Sequence, residues 1–287
     1  MHYIEIEKLL ESGAHFGHLT RRWNPKMAQF IFSERNGIHI IDLRKSQILI
    51  DLAREAIYDI ASRGKIVLFV GTKNLAKGIL EREAKRCNMN YVSERWLGGM
   101  LTNFTTIRKS IKRLNSIDKM EVDGTFERIT KKERLMINRE RDRLRKFFGG
   151  IEEMTRLPGA LFVVDIKKEH IAVNEAKILG IPVIAIVDTN CDPETVDYPI
   201  PANDDSLKTI DLIATVLADA INEGTALAKV RMAELASDGE RAAKEGDTAG
   251  KEESPVIKRK MRERRGKREN RQDFGNDTIT PGKETGE

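Results

Sequence analysis

Four stretches hold residues whose types and spacing could do chemistry. In RWLGGMLTNFTTIRKSI (95–111) a glycine pair stands between an Arg-Trp step and a run of threonines, and basic residues follow. Such a segment either cradles a phosphate on backbone amides or works as a hinge that launches a helix toward something negative. In IVLFVGTKNLAKG (66–78) a Gly-Thr-Lys turn opens a helical stretch, which is either an anion seat or an ordinary strand–helix turn. AHFGHLTRRWNPKM (14–27) places His15 and His18 three apart, and Arg21, Arg22 and Lys26 flank Trp23. Guanidinium and indole together suit phosphate contact and base stacking, and they equally suit a core tryptophan with a solvated basic rim. DTNCDPETVDYPIPANDD (188–205) carries Asp188, Asp204 and Asp205, which either converge on a divalent cation or act as turn and helix caps.

The motifs of common enzymes are missing. No G-x-x-x-x-G-K-[ST] run occurs, and the turn after IVLFV does not supply G-x-G-x-x-G. There is no G-x-S-x-G elbow, and neither Cys87 nor Cys191 has a histidine nearby. Two isolated cysteines without a C-x-x-C pair argue against a thiolate zinc site and fit a reducing compartment. The charged N-terminus MHYIEIEKLL does not read as a signal peptide, and apolar runs such as ALFVV are far below a membrane span. The expectation is a soluble intracellular protein.

These stretches must be positioned by an alternation of strands and helices. IEIEKLLESG (4–13) predicts a short helix stopped by glycine. AQFIF and IHIID flank Asn36-Gly37, which predicts a hairpin. A helical period of Ile48, Leu52, Ala56 and Ile60 predicts a helix over 43–62. The continuous apolar runs IVLFVGT, ALFVVD (160–165) and IPVIAIVD (181–188) read as parallel strands buried on both faces. Helices are predicted after Thr72 through Lys85, over 168–180, and over 204–224 with Asp204 or Asp205 as N-cap and Gly224 as the stop. A short strand is predicted at 91–93. This order implies a doubly wound parallel sheet. Residues 105–149 interrupt it as a helical hairpin, with Ile107, Ile111, Leu114 and Ile117 as a thin seam. Residues 1–104 and 150–230 are then the globular part. Residues 231–287 are a C-terminal extension, expected to be disordered and basic, since from about Ala242 the composition cannot bury enough to order itself.

Charge is segregated. Of 287 residues, 50 are Lys/Arg and 45 Asp/Glu, a net of +5. Residues 105–148 hold 14 basic against 7 acidic side chains, and 256–272 hold 9 against 2, so each carries +7 and the rest of the chain carries −9. An acidic body with two basic attachments meets a polyanion at chosen places.

The strings AHFGH-TRRWNPKM, NGIHIIDL, VLFVGTK, RWLGGMLTNF-TIR-SI, ALFVVD, IAV-EA--LGIPVIAIVDTNCDP and VDYPIP-NDD together resemble the bacterial ribosomal protein S-two family, over roughly residues 3–230. Leu19 and Ala202 depart from its usual glutamine and glycine, and the basic tail lies outside the resemblance. The resemblance implies a flavodoxin-like α/β sheet with an inserted α-helical coiled-coil hairpin. It implies a non-catalytic, ribosome-bound, cytoplasmic component of the small subunit. Its partners would be small-subunit ribosomal RNA, neighbouring proteins and the large mRNA-binding protein S-one, with no membrane and no small-molecule substrate. The competing reading is a metal-dependent phosphohydrolase or nucleotide-binding enzyme on a similar sheet. The RNA-binding candidates are Arg21, Arg22, Trp23, Lys26, Arg95, Trp96 and Asn103 in the body. In the hairpin they are Arg108, Lys109, Lys112, Arg113, Lys131, Lys132, Arg134, Arg139, Arg141, Arg143, Arg145 and Lys146. No catalytic residue and no required cofactor is expected. A divalent cation, Mg²⁺ or Zn²⁺, is expected near His18, Asp188, Asp204 and Asp205, with His18 in a loop over the sheet edge. Direct coordination requires the His18 ring within about 8 Å of those carboxylates, since metal–ligand bonds are only ~2.0–2.2 Å.

Overall fold

A computed structural model describes residues 3–124, 126 and 128–249. Met1–Arg231 form one compact unit and Met232–Glu287 a second. The basic stretch 256–272 lies outside the described residues. The elements in chain order are α1 (Ile6–Ser12), β1 (Phe16–Leu19), β2 (Ile31–Arg35), β3 (Ile38–Ile41), α2 (Leu43–Ser62), β4 (Val67–Val70), α3 (Asn74–Arg86) and β5 (Asn90–Val92). They continue with α4 (Phe104–Val122), α5 (Lys131–Phe148), β6 (Ala160–Val164), α6 (His170–Ile178), β7 (Val183–Val187), β8 (Tyr198–Pro201) and α7 (Leu207–Ala249).

Five strands form a parallel sheet in the order β5-β4-β6-β7-β8. Numbered from β4, this is the 2-1-3-4-5 order of flavodoxin-like sheets, with the switch of winding direction at β4 and β6. Strand periodicity divides the core in two. Val67, Phe69, Phe162, Val164, Ile184 and Ile186 pack on one face with α2, α3 and α7. Leu68, Val70, Leu161, Val163, Val183 and Ala185 pack on the other with α6 and the base of α4. A Phe69–Phe162 edge-to-face pair, centroids 5.6 Å apart, fills the first layer.

A smaller antiparallel sheet pairs its strands in the order β1-β3-β2. Asn36 and Gly37, at φ 54° and 73°, make the turn between β2 and β3 that the sequence predicts. Its β3 strand is unusual in burying His39 and Ile41 while Ile38 and Ile40 are only half-buried. Their cross-strand partners Leu19 and Phe16 are exposed.

The structure corrects the sequence reading in several places. Helix α2 has the expected ends, but the stripe Ile48 and Leu52 faces outward, 52% and 49% exposed. The buried face is Ile50, Ala53, Ile57 and Ala61. Ala28–Phe30 of the supposed strand AQFIF belong instead to a 3₁₀ turn, Pro25–Phe30, and β1 and β8 are additional strands. The last helix neither starts at Asp204 nor stops at Gly224. It starts at Leu207, where Ser206 Oγ accepts from the Thr209 amide at 3.4 Å. Gly224 sits inside it because α7 lies against α2: a Cβ there would be 2.6 Å from the Tyr58 carbonyl oxygen and 2.9 Å from Ala61 Cβ. The glycine is a packing residue, not a terminator. Among the described residues no helix is long and apolar enough to cross a membrane.

Between β5 and β6 the chain makes α4 and α5. Ile107, Ile111, Leu114 and Ile117 are all buried, as the seam requires. On α5 only Phe148 is buried, and Leu135 is exposed. A capping box at Thr130 and Glu133 starts α5. Three ion pairs join the two helices: Arg113–Glu140 (3.1 Å), Arg141–Glu121 (2.5 Å) and Arg145–Asp118 (2.8 Å).

Candidate functional site

The carboxyl ends of β4, β6, β7 and β8 share one edge, where a doubly wound sheet normally holds its ligand. Here the protein's own side chains fill that edge. The GTK turn after β4 offers the Thr72 amide, and the buried Glu169 carboxylate accepts it at 2.8 Å. Lys73 Nζ lies 2.8 Å from Asp204 Oδ1, 2.5 Å from Asp205 Oδ1 and 3.9 Å from Asp165 Oδ2. Burial works against the Lys73 ammonium, but these carboxylates outweigh it and its pKa is raised. The lysine is spent on internal carboxylates.

At the end of β7, His18 Nδ1 is 3.0 Å from Asp188 Oδ2 and Nε2 is 3.6 Å from Asp205 Oδ2. The distance requirement for shared coordination is met. His18 is carried by β1 rather than a loop, and its amide donates to Thr189 Oγ1 at 2.8 Å. The strand comes this close because residue 17 is glycine, where a Cβ would lie 2.6 Å from Thr189 Cγ2. His18 titrates above its ordinary value through its hydrogen bond to Asp188, against the opposing effect of burial. Burial, reinforced by the Asp188 charge, pushes Asp204 up to about 6. Donor atoms of His18, Asp188 and Asp204 lie within 4.8 Å of one another. Asp204 Oδ2 is buried without a hydrogen-bond partner.

The loop RWLGGMLTN also holds an internal anion. Trp96 is inside the body, 5% exposed, so its indole is not presented to an outside base. Its Nε1 donates to Glu175 Oε1 at 3.0 Å. The amides of Gly99 (2.7 Å), Leu101 (3.0 Å) and Thr102 (3.0 Å) and the Thr102 hydroxyl (3.0 Å) donate to the same carboxylate. The amides of this segment are therefore taken by a carboxylate of α6 and not open to an outside phosphate, and the segment leads directly into α4.

The model of the family "Ribosomal protein S2" matches residues 9–224. The chain belongs to the ribosomal protein S2 family. Curated relatives named "Small ribosomal subunit protein uS2" include one from Chloroherpeton thalassium, 63% identical over 229 residues, covering 80% of this chain and 92% of the relative. Others come from Chlorobium phaeovibrioides, 56% identical over 253 residues (87% and 98%), and Chlorobaculum tepidum, 60% identical over 224 residues (78% and 90%).

Among the basic candidates, some are held by named partners and others make no ion pair. Arg108 Nη1 donates to the Met154 carbonyl at 2.8 Å. Arg113, Arg141 and Arg145 hold the ion pairs between α4 and α5, and Lys146 lies 3.7 Å from Glu94. Lys26 is held by Asp192 (2.8 Å) and Glu194 (2.5 Å). Arg134 lies over the Phe126 ring at 5.6 Å. Among the described residues, Arg21, Arg22, Arg95, Lys109, Lys112, Lys131, Lys132, Arg139 and Arg143 are exposed and make no ion pair. Trp23 is partly exposed and packs at a 47° tilt against the His39 ring, centroids 5.1 Å apart. Asn103 is exposed at the start of α4 without capping it through its side chain. Both cysteines are free and buried, and burial pushes each thiol up to about 12, which leaves them unreactive.

Sequence reasoning missed Glu169 and Glu175. A signal for Glu175 was present: it sits among Ala172, Val173 and Ala176, on the buried side of α6. An acid in that position needs dedicated donors.

Proposed function

We infer that this chain is a structural constituent of the small ribosomal subunit that binds small-subunit ribosomal RNA and neighbouring ribosomal proteins in the cytoplasm. Family membership supports the role. The observation that carries the non-catalytic part is the filled carboxyl edge: Glu169 on the Thr72 amide, Glu175 on the 96–102 donors, and Lys73 on Asp204 and Asp205. A substrate phosphate would have to displace a covalently tethered carboxylate from either amide seat. Cys191 shares a pocket with His170 beside the Glu169 seat, but burial pushes its thiol up to about 12, which disfavours the nucleophilic thiolate.

The RNA reading assigns the grip to unpaired cations. Lys109, Lys112, Lys131, Lys132, Arg139 and Arg143 on α4 and α5, with Arg21, Arg22 and Arg95 on the body, contact phosphates and sugars by shape. Residues 105–149 then act as a coiled-coil hairpin protruding from the body formed by 1–104 and 150–230. The half-apolar outward face of the small sheet, Phe16, Leu19, Ile38 and Ile40, supports a protein neighbour. The mRNA-binding protein S-one belongs to this proposal as one such neighbour, tested by pull-down with the purified protein. Co-sedimentation with small subunits, against free elution, tests the role as a whole.

A divalent cation at His18, Asp188 and Asp204 fits the same reading. One imidazole nitrogen with carboxylate oxygens suits Zn²⁺ better than Mg²⁺, and the unpartnered Asp204 Oδ2 is a ready ligand. The residues would fasten β1 to the sheet edge. Metal content after dialysis against a Zn²⁺ buffer, with Asp204→Asn as control, tests it.

A further inference from the structure

The segment 95–103 is the last stretch of chain before α4, and five of its donors converge on one side chain. Trp96 Nε1, the amides of Gly99, Leu101 and Thr102, and the Thr102 hydroxyl all donate to the Glu175 carboxylate, at 2.7–3.0 Å. Gly99, at φ 89°, turns the backbone so that these amides face inward. Concave groups of amides of this kind ordinarily take a phosphate or carboxylate ligand. Here the ligand is tethered to α6. Glu175 is 6% exposed and makes no ion pair among the described residues, so dipoles alone balance its charge. Burial pushes its pKa up, but the Thr102 amide, the Trp96 indole and the Gly99 and Leu101 amides outweigh burial and hold the carboxyl ionised.

The position of this contact matters more than its strength. Helix α4 begins at Phe104, and Asn103 gives it no side-chain cap. Glu175 fixes the two residues immediately before Asn103, on the side from which α4 departs. Further along, Ile107 and Ile111 join the core under the sheet. The direction in which α4 leaves the body is therefore set by the Glu175 seat just before its first turn, together with Ile107, Ile111 and the Arg108 contact to the Met154 carbonyl over its first two turns.

We propose that Glu175 is the positioning residue for the α4–α5 insertion: its carboxylate, seated in the 96–102 donors, fixes the exit of α4 and so the register between cations on the insertion and those on the body. This rests on the RNA-binding reading above. The site demands a carboxylate of this length. The substitution Glu175→Gln would turn an N–H₂ group toward amides that need an acceptor, and Glu175→Asp would leave the carboxylate one methylene short.

The experiment uses the full chain with Glu175→Ala and Glu175→Gln. Three quantities are measured: affinity for small-subunit ribosomal RNA, the Trp96 indole N–H resonance, and amide exchange in the first turn of α4. Glu175→Ala is expected to lose about tenfold or more in affinity, to shift the indole resonance, and to speed exchange at Thr106 and Ile107 while the β6 and β7 amides stay protected. Added acetate or propionate should restore part of all three by refilling the seat, and neutral acetamide should not. A shifted indole with affinity within about twofold of wild type and unchanged α4 exchange overturns the proposal. So does equal rescue by acetamide. If Glu175→Ala does not fold, Glu175→Gln carries the test, and loss of the β6 and β7 protection in both variants would make Glu175 a whole-body stability residue and also overturn the proposal. Failure of the wild-type chain to bind RNA would sink the RNA reading instead, and α4 exchange with carboxylate rescue would still decide the positioning role.

Discussion

The division of the insertion's cations into paired and unpaired makes a quantitative claim about RNA binding. Consider two triple variants. One removes unpaired charges, Lys109→Gln, Lys112→Gln and Arg139→Gln. The other removes charges already held by carboxylates, Arg113→Gln, Arg141→Gln and Arg145→Gln. Each lowers the +7 of residues 105–148 by the same three units, so an account based on net charge alone expects equal effects. Contact formation expects otherwise. Each phosphate contact adds roughly 0.7–0.9 to the slope of log affinity against log salt. Losing three flattens the slope by about 2–3, which over a fourfold change in salt is a relative effect of roughly 20–40-fold. The paired triple should flatten it by less than about 1, because those guanidiniums release few counterions on binding. The cost to the insertion is modest, since exposed ion pairs contribute roughly 0.2–1 kcal/mol each. Filter binding of small-subunit RNA at several salt concentrations, with helicity checked by circular dichroism, reads the difference. Equal flattening by both triples would refute the assignment of contact to the unpaired set.

Three further outcomes are expected. Gly224→Ala should destabilise the body, although alanine is intrinsically better in a helix by about 1 kcal/mol. The added Cβ meets the Tyr58 carbonyl at 2.6 Å and Ala61 at 2.9 Å, overpacking that costs about 1–3 kcal/mol, so thermal melting should fall by a few degrees rather than rise. Metal-free protein should lose stability as pH rises from 5 to 8. Asp204 is protonated more readily folded, at about 6, than at its ordinary 3.8, so its contribution is complete below 3.8 and is lost as pH passes about 6. His18, raised above 6.5, acts in the same direction at higher pH. Asp204→Asn should flatten this decline in a chemical-denaturation series across that range. Zn²⁺ should reverse it at pH 7.5, because metal ligands must be deprotonated, and no shift of the melting midpoint with Zn²⁺ would count against the cation.

The parallel sheet was legible because IVLFV, ALFVV and VIAIV are short, continuous apolar runs rich in β-branched residues, the pattern of strands covered on both faces. The ends of α2 were legible, but its buried face was not. Ile48 and Leu52 have helical spacing as good as Ile50 and Ile57, and only the position of the sheet chooses between them. Strand β8 was hidden by Pro199 and Pro201, which an edge strand tolerates and a central strand does not. Strand β1 is four residues without alternation. Gly224 misled because a glycine serving close helix contact looks the same in sequence as one ending a helix. At the site, Asp188 could be placed from the rule that strand carboxyl ends share an edge, whereas His18, expected in a loop over that edge, is carried there by β1. Which cations are free could not be read, since Arg113 and Lys112 differ only in whether Glu140 faces them. Glu175 was passed over because an acid in a helix usually marks the solvent side.

The central claim is that this chain works by occupying a place in the small subunit and not by turning over a ligand at its sheet edge. The most direct measurement is reconstitution: purified chain added to small subunits stripped of this protein, followed by sucrose-gradient sedimentation and quantification of the chain in each fraction. Near one copy per subunit at moderate salt, with release as salt rises and with reduced occupancy for the unpaired-cation triple, is the predicted result. A chain that stays at the top of the gradient while hydrolysing nucleoside triphosphate, with the activity abolished by Asp188→Asn, would contradict it.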